Sequence, residues 1–427
     1  MDKLNLLTPD EAGRQMHALA AVLYPLCRSI TGDGFRETLR RLQPQLPLAV
    51  REVASGTPVF DWTVPREWNI RDAWVKNSRG ERVIDFQKHN LHVVNYSAPV
   101  KQTMTLAELK PFLFSLPDQP DLIPYRTTYY QETWGFCLPH RQLLALPEDN
   151  YEVCIDATLA PGHLTYGEYF LPGRTTDEVL ISCHCCHPSL ADDNLSGIAL
   201  AVQLAQRLAQ QPRRYSYRFL FIPGTIGAIT WLALNQEATK SIKHGLVLTC
   251  VGDPGKSNYK KSRRGDAEID RAVLHVLKHS GQPYGVIDFF PYGYDERQYC
   301  SPGFDLPVGC FMRSQHGQFP EYHTSADNLD FIRPEALGDS FAKAAAVLDV
   351  LEGNKTFLNL SPHCEPQLGK RGLYGVAGTD VMAMLWVLNF SDGQHSLLDI
   401  AERANLPFGL IERSAQALVA NGLLKEV

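Results

Sequence analysis

Apolar positions in the first forty residues recur at helical spacing: Met16, Leu19, Val22 and Leu23, then Phe35, Leu39 and Leu42. The pattern predicts two helices within residues 10–43, parted by the break at Ser29–Gly34. From Leu48 the rhythm shortens. VFDWTVPREWNIRDAWVKNSRGERVIDF carries three tryptophans, β-branched residues and turn signals, so it reads as short strands. This β-rich, aromatic character persists to about residue 166, with one short helix expected near Leu106–Ser115.

From Asp177 short apolar runs alternate with longer amphipathic ones. Strands are expected at 178–183, 217–222, 245–251 and 307–312, and helices at 196–210, 226–238, 267–280 and 334–352. Strands alternating with helices of this length predict an α/β fold with a mostly parallel sheet sandwiched by helices. After Gly353 three helical stretches, 379–389, 396–403 and 409–423, precede a closing LLKEV strand, which suggests a winged helix. The expected division is 1–47 with 167–353 as the α/β domain, 48–166 as a β-rich insertion and 354–427 as a winged-helix domain.

Composition adds exclusions. Hydrophobic content of 44% and charged content of 21% are ordinary for a soluble globular chain. A net charge of −6 offers no nucleic-acid footprint and no polybasic membrane patch. The opening MDKLNLLTPDEAGRQ lacks the apolar core of a signal peptide, and no apolar run reaches ~18 residues. Ten cysteines without small-domain spacing then imply reduced thiols, and a cytoplasmic location is expected.

The chemistry concentrates in VLISCHCCHPSLADDNLSG, residues 179–197, where a buried-strand pattern runs into a polar loop and then a helix. Open α/β sheets place ligands at such carboxyl ends of strands. Cys183–His187 formally fits the haem-attachment pattern C-x-x-C-H, but that chemistry belongs to exported chains. A closed zinc knuckle needs a second Cys/His pair at ligand spacing, which is missing. Cys183 and Cys185 read better as small core residues. His184 or His187 with Asp193 follow the first strand, Asp253 follows the third, and His323 precedes the last helix of the α/β run. Two histidines and two carboxylates at one sheet edge suit a hydrolytic zinc site. Asp193, within D-x-x-S-G, is placed to give one oxygen to each of two metals.

The motifs CHPSLADDNLSG, FIPGTIG, VGDPG and YHTSADNLD, in this order, resemble the aminopeptidase-like families of the two-zinc aminopeptidase superfamily. More closely, the chain is similar to a bacterial family of unknown function with a β-rich insertion and a C-terminal winged helix. The resemblance implies one or two Zn²⁺ ions on His184, Asp193, Asp253 and His323, with His187 a rival to His184 through its Cys-His-Pro context. It also implies a small peptide or aminoacyl-amide substrate. No membrane or nucleic-acid partner is expected, and a homo-oligomer stays open.

One departure stands out. The superfamily carries Glu-Glu after the second strand, a general base followed by a metal ligand; here Gly224-Thr225 stands in that place. A general base contributes roughly 10²–10⁴ in rate. The chain is therefore expected to be a zinc-dependent hydrolase that lacks the usual base at Gly224, or an altered relative that binds without efficient turnover. On this basis Gly224→Glu is expected to raise turnover by roughly 10²-fold. Glu296 is the next candidate base, and Tyr322 a donor to a tetrahedral oxyanion. Asp295 and Arg297, within YGYDERQY, and Arg313, at a strand end, are candidate substrate-binding residues. In the winged helix, the candidate recognition segment Pro407–Ala420 carries only Arg413 as a base-reading cation, thin for DNA.

Overall fold

The computed structural model describes residues 7–427; the first six residues of the N-terminal stretch read for an export signal lie outside them. Contacts divide the chain into two units, Met1–Arg264 with Ile287–Phe341, and Gly265–Val286 with Ala342–Val427.

The first unit opens with the expected helices, Pro9–Leu23 and Asp33–Leu42. Thr8 and Glu11 cap the first of them reciprocally, each side chain meeting the other's backbone N–H. The unit is organised around a sheet with strand order Ala49–Ala54, His163–Leu171, Ser216–Ile222, Glu178–His184, Ile242–Leu248, Val308–Met312 and Ser257–Lys260. The four strands from Ser216–Ile222 to Val308–Met312 are parallel, as the strand–helix alternation predicts. Around them the sheet is mixed. His163–Leu171 and Ala49–Ala54 extend one side antiparallel, and Ser257–Lys260 does so on the other.

Every residue of Glu178–His184 is buried, as expected of a central parallel strand covered on both faces. That requirement explains why the run reads as continuous rather than alternating hydrophobicity. Its register pairs His184 with Ile222, so the segment after each of these strands leaves the sheet at the same edge. The stretch 67–160 forms its own antiparallel sheet, ordered Arg82–Asp85, Glu67–Lys76, Asn150–Ala160, Val100–Thr105.

The second unit is a winged helix: helices Val381–Phe390, Leu397–Ala404 and Phe408–Ala420 with a three-stranded antiparallel sheet of Asp392–Ser396, Thr356–Asn359 and Leu424–Glu426. Helix Glu268–His279 belongs with it, although its sequence position suggests the α/β run. The Phe408 amide donates to Nε2 of buried His275 at 3.0 Å, and Arg271 pairs with Asp399 and Glu402 at 2.5 and 2.6 Å. No helix among the described residues is long and apolar enough to cross a membrane.

Candidate metal centre

Asp193 sits at the carboxyl edge of the parallel centre with no exposed surface, and three imidazoles converge on it. Its Oδ1 lies 2.7 Å from Nε2 of His184, at the strand end. Its Oδ2 lies 3.3 Å from Nδ1 of His187 and 3.0 Å from Nε2 of His323. The sequence leaves His184 and His187 as rivals; the fold brings both to the same carboxylate. Burial works to raise the Asp193 carboxyl, but His187 and His184 outweigh it and hold it well below the ordinary carboxylate range.

The backbone around Asp193 is held from two sides. Asp327, four residues after His323, accepts the amides of Ala191 and Asp192 on Oδ1 at 3.1 and 2.6 Å, and that of Asp193 on Oδ2 at 3.0 Å. Asn194 donates to the Leu248 carbonyl at 2.9 Å and accepts the Gly197 amide at 3.1 Å, tying the turn to the next strand and helix. His187 is fixed through its carbonyl, which accepts from Nε of the buried Arg28 at 2.9 Å. His323 holds φ at +56°, a left-handed setting that histidine tolerates better than most residues, and its carbonyl accepts the Tyr125 amide at 2.7 Å.

Aromatic rings wall the cluster. Tyr294 stacks on His184 with centroids 4.7 Å apart, and Tyr322 stacks on His323 at 3.9 Å. Tyr125 meets both His187 and His323 edge-on, at 4.9 and 5.0 Å. The hydroxyls of Tyr294 and Tyr322 lie 3.4 Å apart, and the Cys250 thiol is 3.6 Å from the former. Burial, then the charge of Asp193, pushes Tyr294, Tyr322 and Cys250 upward, so all three keep their protons near neutrality.

The donor set fits a borderline divalent ion. The ligand atoms of His184, His187 and Asp193 all lie within 4.8 Å of one another. Ligands ~2.1 Å from a tetrahedral ion stand ~3.4 Å apart, so small side-chain shifts close the shell. Imidazole with carboxylate is a zinc-type set.

The remaining sequence candidates fall elsewhere. Asp253 is buried but engaged, accepting from the Ser314 amide and hydroxyl at 2.9 and 2.7 Å and from the Gly255 amide at 2.6 Å. It stands against Asp192, whose carboxyl is pushed well up by burial and then by Asp253. The third strand ends at Leu248, and Cys250 turns the chain with φ at +47°, so Cys250 rather than Asp253 reaches the cluster. Glu296 is fully buried and ion-paired with the equally buried Lys260 at 2.8 Å. Arg297 lies over the Tyr292 ring at 5.4 Å, and Arg313 pairs with Asp339 at 2.6 Å. Thr225 precedes helix Ile226–Leu234, and its carbonyl accepts the Ile229 amide at 3.1 Å.

Any side chain at Gly224 would press on His184. A Cβ there would stand 3.0 Å from His184 Cβ and 3.4 Å from its Cγ, closer than side chains comfortably pack. It would also lie 3.7 Å from Oδ1 of Asp295. Asp295 has no exposed surface, and neither carboxylate oxygen has a hydrogen-bond partner. Burial, then Glu296, pushes its carboxyl up to about 8. Sequence reasoning missed Asp327, Tyr125, Tyr294 and Cys250; only the position of Asp327 and Tyr294 inside the two tyrosine-led motifs hints at them.

Comparison with known proteins agrees with this architecture. A protein of Clostridium acetobutylicum named for polysaccharide biosynthesis and an aminopeptidase-like domain is 52% identical over 435 residues, covering 100% of both chains. A crystal structure from the same organism, titled as a peptidase, matches at TM-score 0.95 and 53% identity over 98% of this chain and 97% of that one. A zinc aminopeptidase from Bacillus subtilis shares the fold at TM-score 0.59 and 14% identity, over 81% of this chain and 95% of that one. A winged helix-turn-helix family matches residues 355–426. Residues 17–354 match the family described as domain of unknown function DUF4910, and the chain belongs to that family.

Proposed function

We propose that this protein is a zinc-dependent hydrolase of an amide or peptide bond, with Gly224 in the place of the usual glutamate base. The observation that carries the reading is the convergence of His184, His187 and His323 on the single buried carboxylate of Asp193. Zinc, when bound, polarises a carbonyl and acidifies a water. Asp193 would hold it with the histidines, and Asp327 would keep Asp193 in place. Tyr322, protonated and stacked on His323, is suited to donate to the oxygen of a tetrahedral intermediate. The substrate would be a small peptide or aminoacyl amide. The relative named for polysaccharide biosynthesis adds amides carried on a sugar to the bonds worth trying.

A second reading, a metal-cleft protein that binds with little turnover, is favoured by Gly224. A third, a DNA-binding regulator, is disfavoured by Arg413, the one cation of the recognition segment, which spends its Nε on the Gly378 carbonyl at 2.7 Å. The deciding experiment is metal analysis of the purified full chain and of Asp193→Ala, together with turnover on panels of aminoacyl amides, dipeptides and N-acyl amino sugars. Stoichiometric zinc lost in Asp193→Ala, with cleavage of any panel member, supports the hydrolase. Zinc without cleavage supports the binding reading. A wild-type chain that takes up no zinc sinks both metal readings.

A further inference from the structure

Beside Gly224 and His184 stands a group with no assigned work. Asp295 is completely buried, both its oxygens lack hydrogen-bond donors, and Oδ1 points at the space that a side chain at 224 would fill. Buried carboxylates are nearly always satisfied, and leaving one without a donor is costly. Such a group is kept where a bound water, substrate or ion supplies the missing partner. Its neighbours do not supply one: Glu296 is occupied by Lys260 at 2.8 Å, and Cys186 turns its thiol toward the Gly224 carbonyl at 3.8 Å.

We propose that Asp295 is the proton acceptor of this site, doing from helix Glu296–Tyr299's leading end the work that a glutamate after the second strand does in the superfamily. The proposal rests on the hydrolase reading and adds a catalytic residue to it. A water held between Asp295 and the scissile carbonyl loses one proton to Oδ1 as its oxygen bonds to the carbonyl carbon and the C=O pair moves onto oxygen. The same proton passes to the departing nitrogen as the C–N bond breaks, leaving Asp295 a carboxylate again. Gly224 then acquires a purpose. Without a side chain there, nothing of residue 224 comes between Asp295 Oδ1 and His184, which leaves that place to the water. Burial raises the Asp295 carboxyl in the ion-free protein, and a divalent cation on His184 and Asp193 opposes that rise.

The test needs no knowledge of the natural substrate. Acetohydroxamic acid binds zinc as an anion after giving up a proton, and calorimetry in buffers of different ionisation enthalpy counts the protons released to solvent. The zinc-loaded wild-type chain should release close to none, because Asp295 keeps the proton. Asp295→Asn, nearly the same shape, should bind zinc as before, release about one proton per hydroxamate and bind it at least ~10-fold more weakly. Equal proton counts in the two zinc-loaded proteins overturn the proposal while leaving the hydrolase reading standing. Failure of the wild-type chain to take up zinc overturns both. If Asp295→Asn does not fold, Asp295→Glu decides: retention of proton uptake supports the role, and one proton released overturns it.

Discussion

Asp193 and Asp295 are both without exposed surface, and the protein treats them in opposite ways. Around Asp193 the fold gathers three imidazoles and anchors the local backbone through Asp327 and Asn194. Around Asp295 it gathers nothing that donates. Burial disfavours charge on both; what differs is whether opposing groups repay it. One carboxyl is held well below the ordinary range and the other is pushed up to about 8. Equal burial therefore says little about what a carboxylate does, whereas the census of its partners says a great deal.

The contrast can be broken most directly at Asp193. Asp193→Ala should lower zinc affinity by more than ~10²-fold, since even outer-shell partners are worth 10–100-fold; competition with a chromogenic chelator measures this, and retained affinity would show that the three histidines suffice. Asp327→Asn should fall in that 10–100-fold range, because it disturbs the Asp193 backbone rather than a ligand atom. Gly224→Glu, expected from sequence to raise turnover, should instead lower zinc affinity by roughly 10-fold, as its Cβ meets His184 at 3.0 Å. A gain in turnover with unchanged affinity would restore the sequence expectation.

A thermal series on the metal-free protein sharpens the comparison further. The Asp295 carboxyl rises from an unfolded value of ~3.9 to about 8 in the fold. Its stabilising contribution is therefore complete below pH ~4 and is lost as pH climbs through about 8, by up to a few kcal/mol. Asp295→Asn should remove that slope and match or exceed the wild type in melting temperature at pH 8; an unchanged slope would mean Asp295 is partnered in solution. The smallest effect belongs to Arg313→Gln, which should leave zinc affinity within ~2-fold, since Arg313 is engaged by Asp339.

The same contrast governs what could be read from the chain. His184, His187, Asp193 and His323 are legible because each is a ligand-type residue beside a strand end or in a motif of known order. The parallel centre is legible because continuous apolar runs separated by amphipathic ones admit few other folds. Asp253 is placed less well by sequence. The third strand stops at Leu248, three residues short of its expected end, and the left-handed turn at Cys250 carries the Asp-Pro-Gly loop toward Ser314 instead. Helix Glu268–His279 looks like part of the alternating run because nothing in its own pattern says that Phe408 and Asp399 are its neighbours. Gly224 is legible as a departure from the superfamily's Glu-Glu, whereas the closeness of His184 to that position exists only in three dimensions.

The carboxylate of Asp327 joins two stretches more than 130 residues apart in the chain, the turn bearing Asp193 and the loop bearing His323. Because that clasp uses backbone amides and no ion, the empty site should hold its shape. Amide hydrogens of Ala191, Asp192 and Asp193 should exchange with heavy water as slowly after chelation as before it. Zinc uptake then becomes a matter of diffusion and ligand deprotonation rather than refolding, so chelator-treated protein should take up added zinc within the mixing time of a stopped-flow instrument.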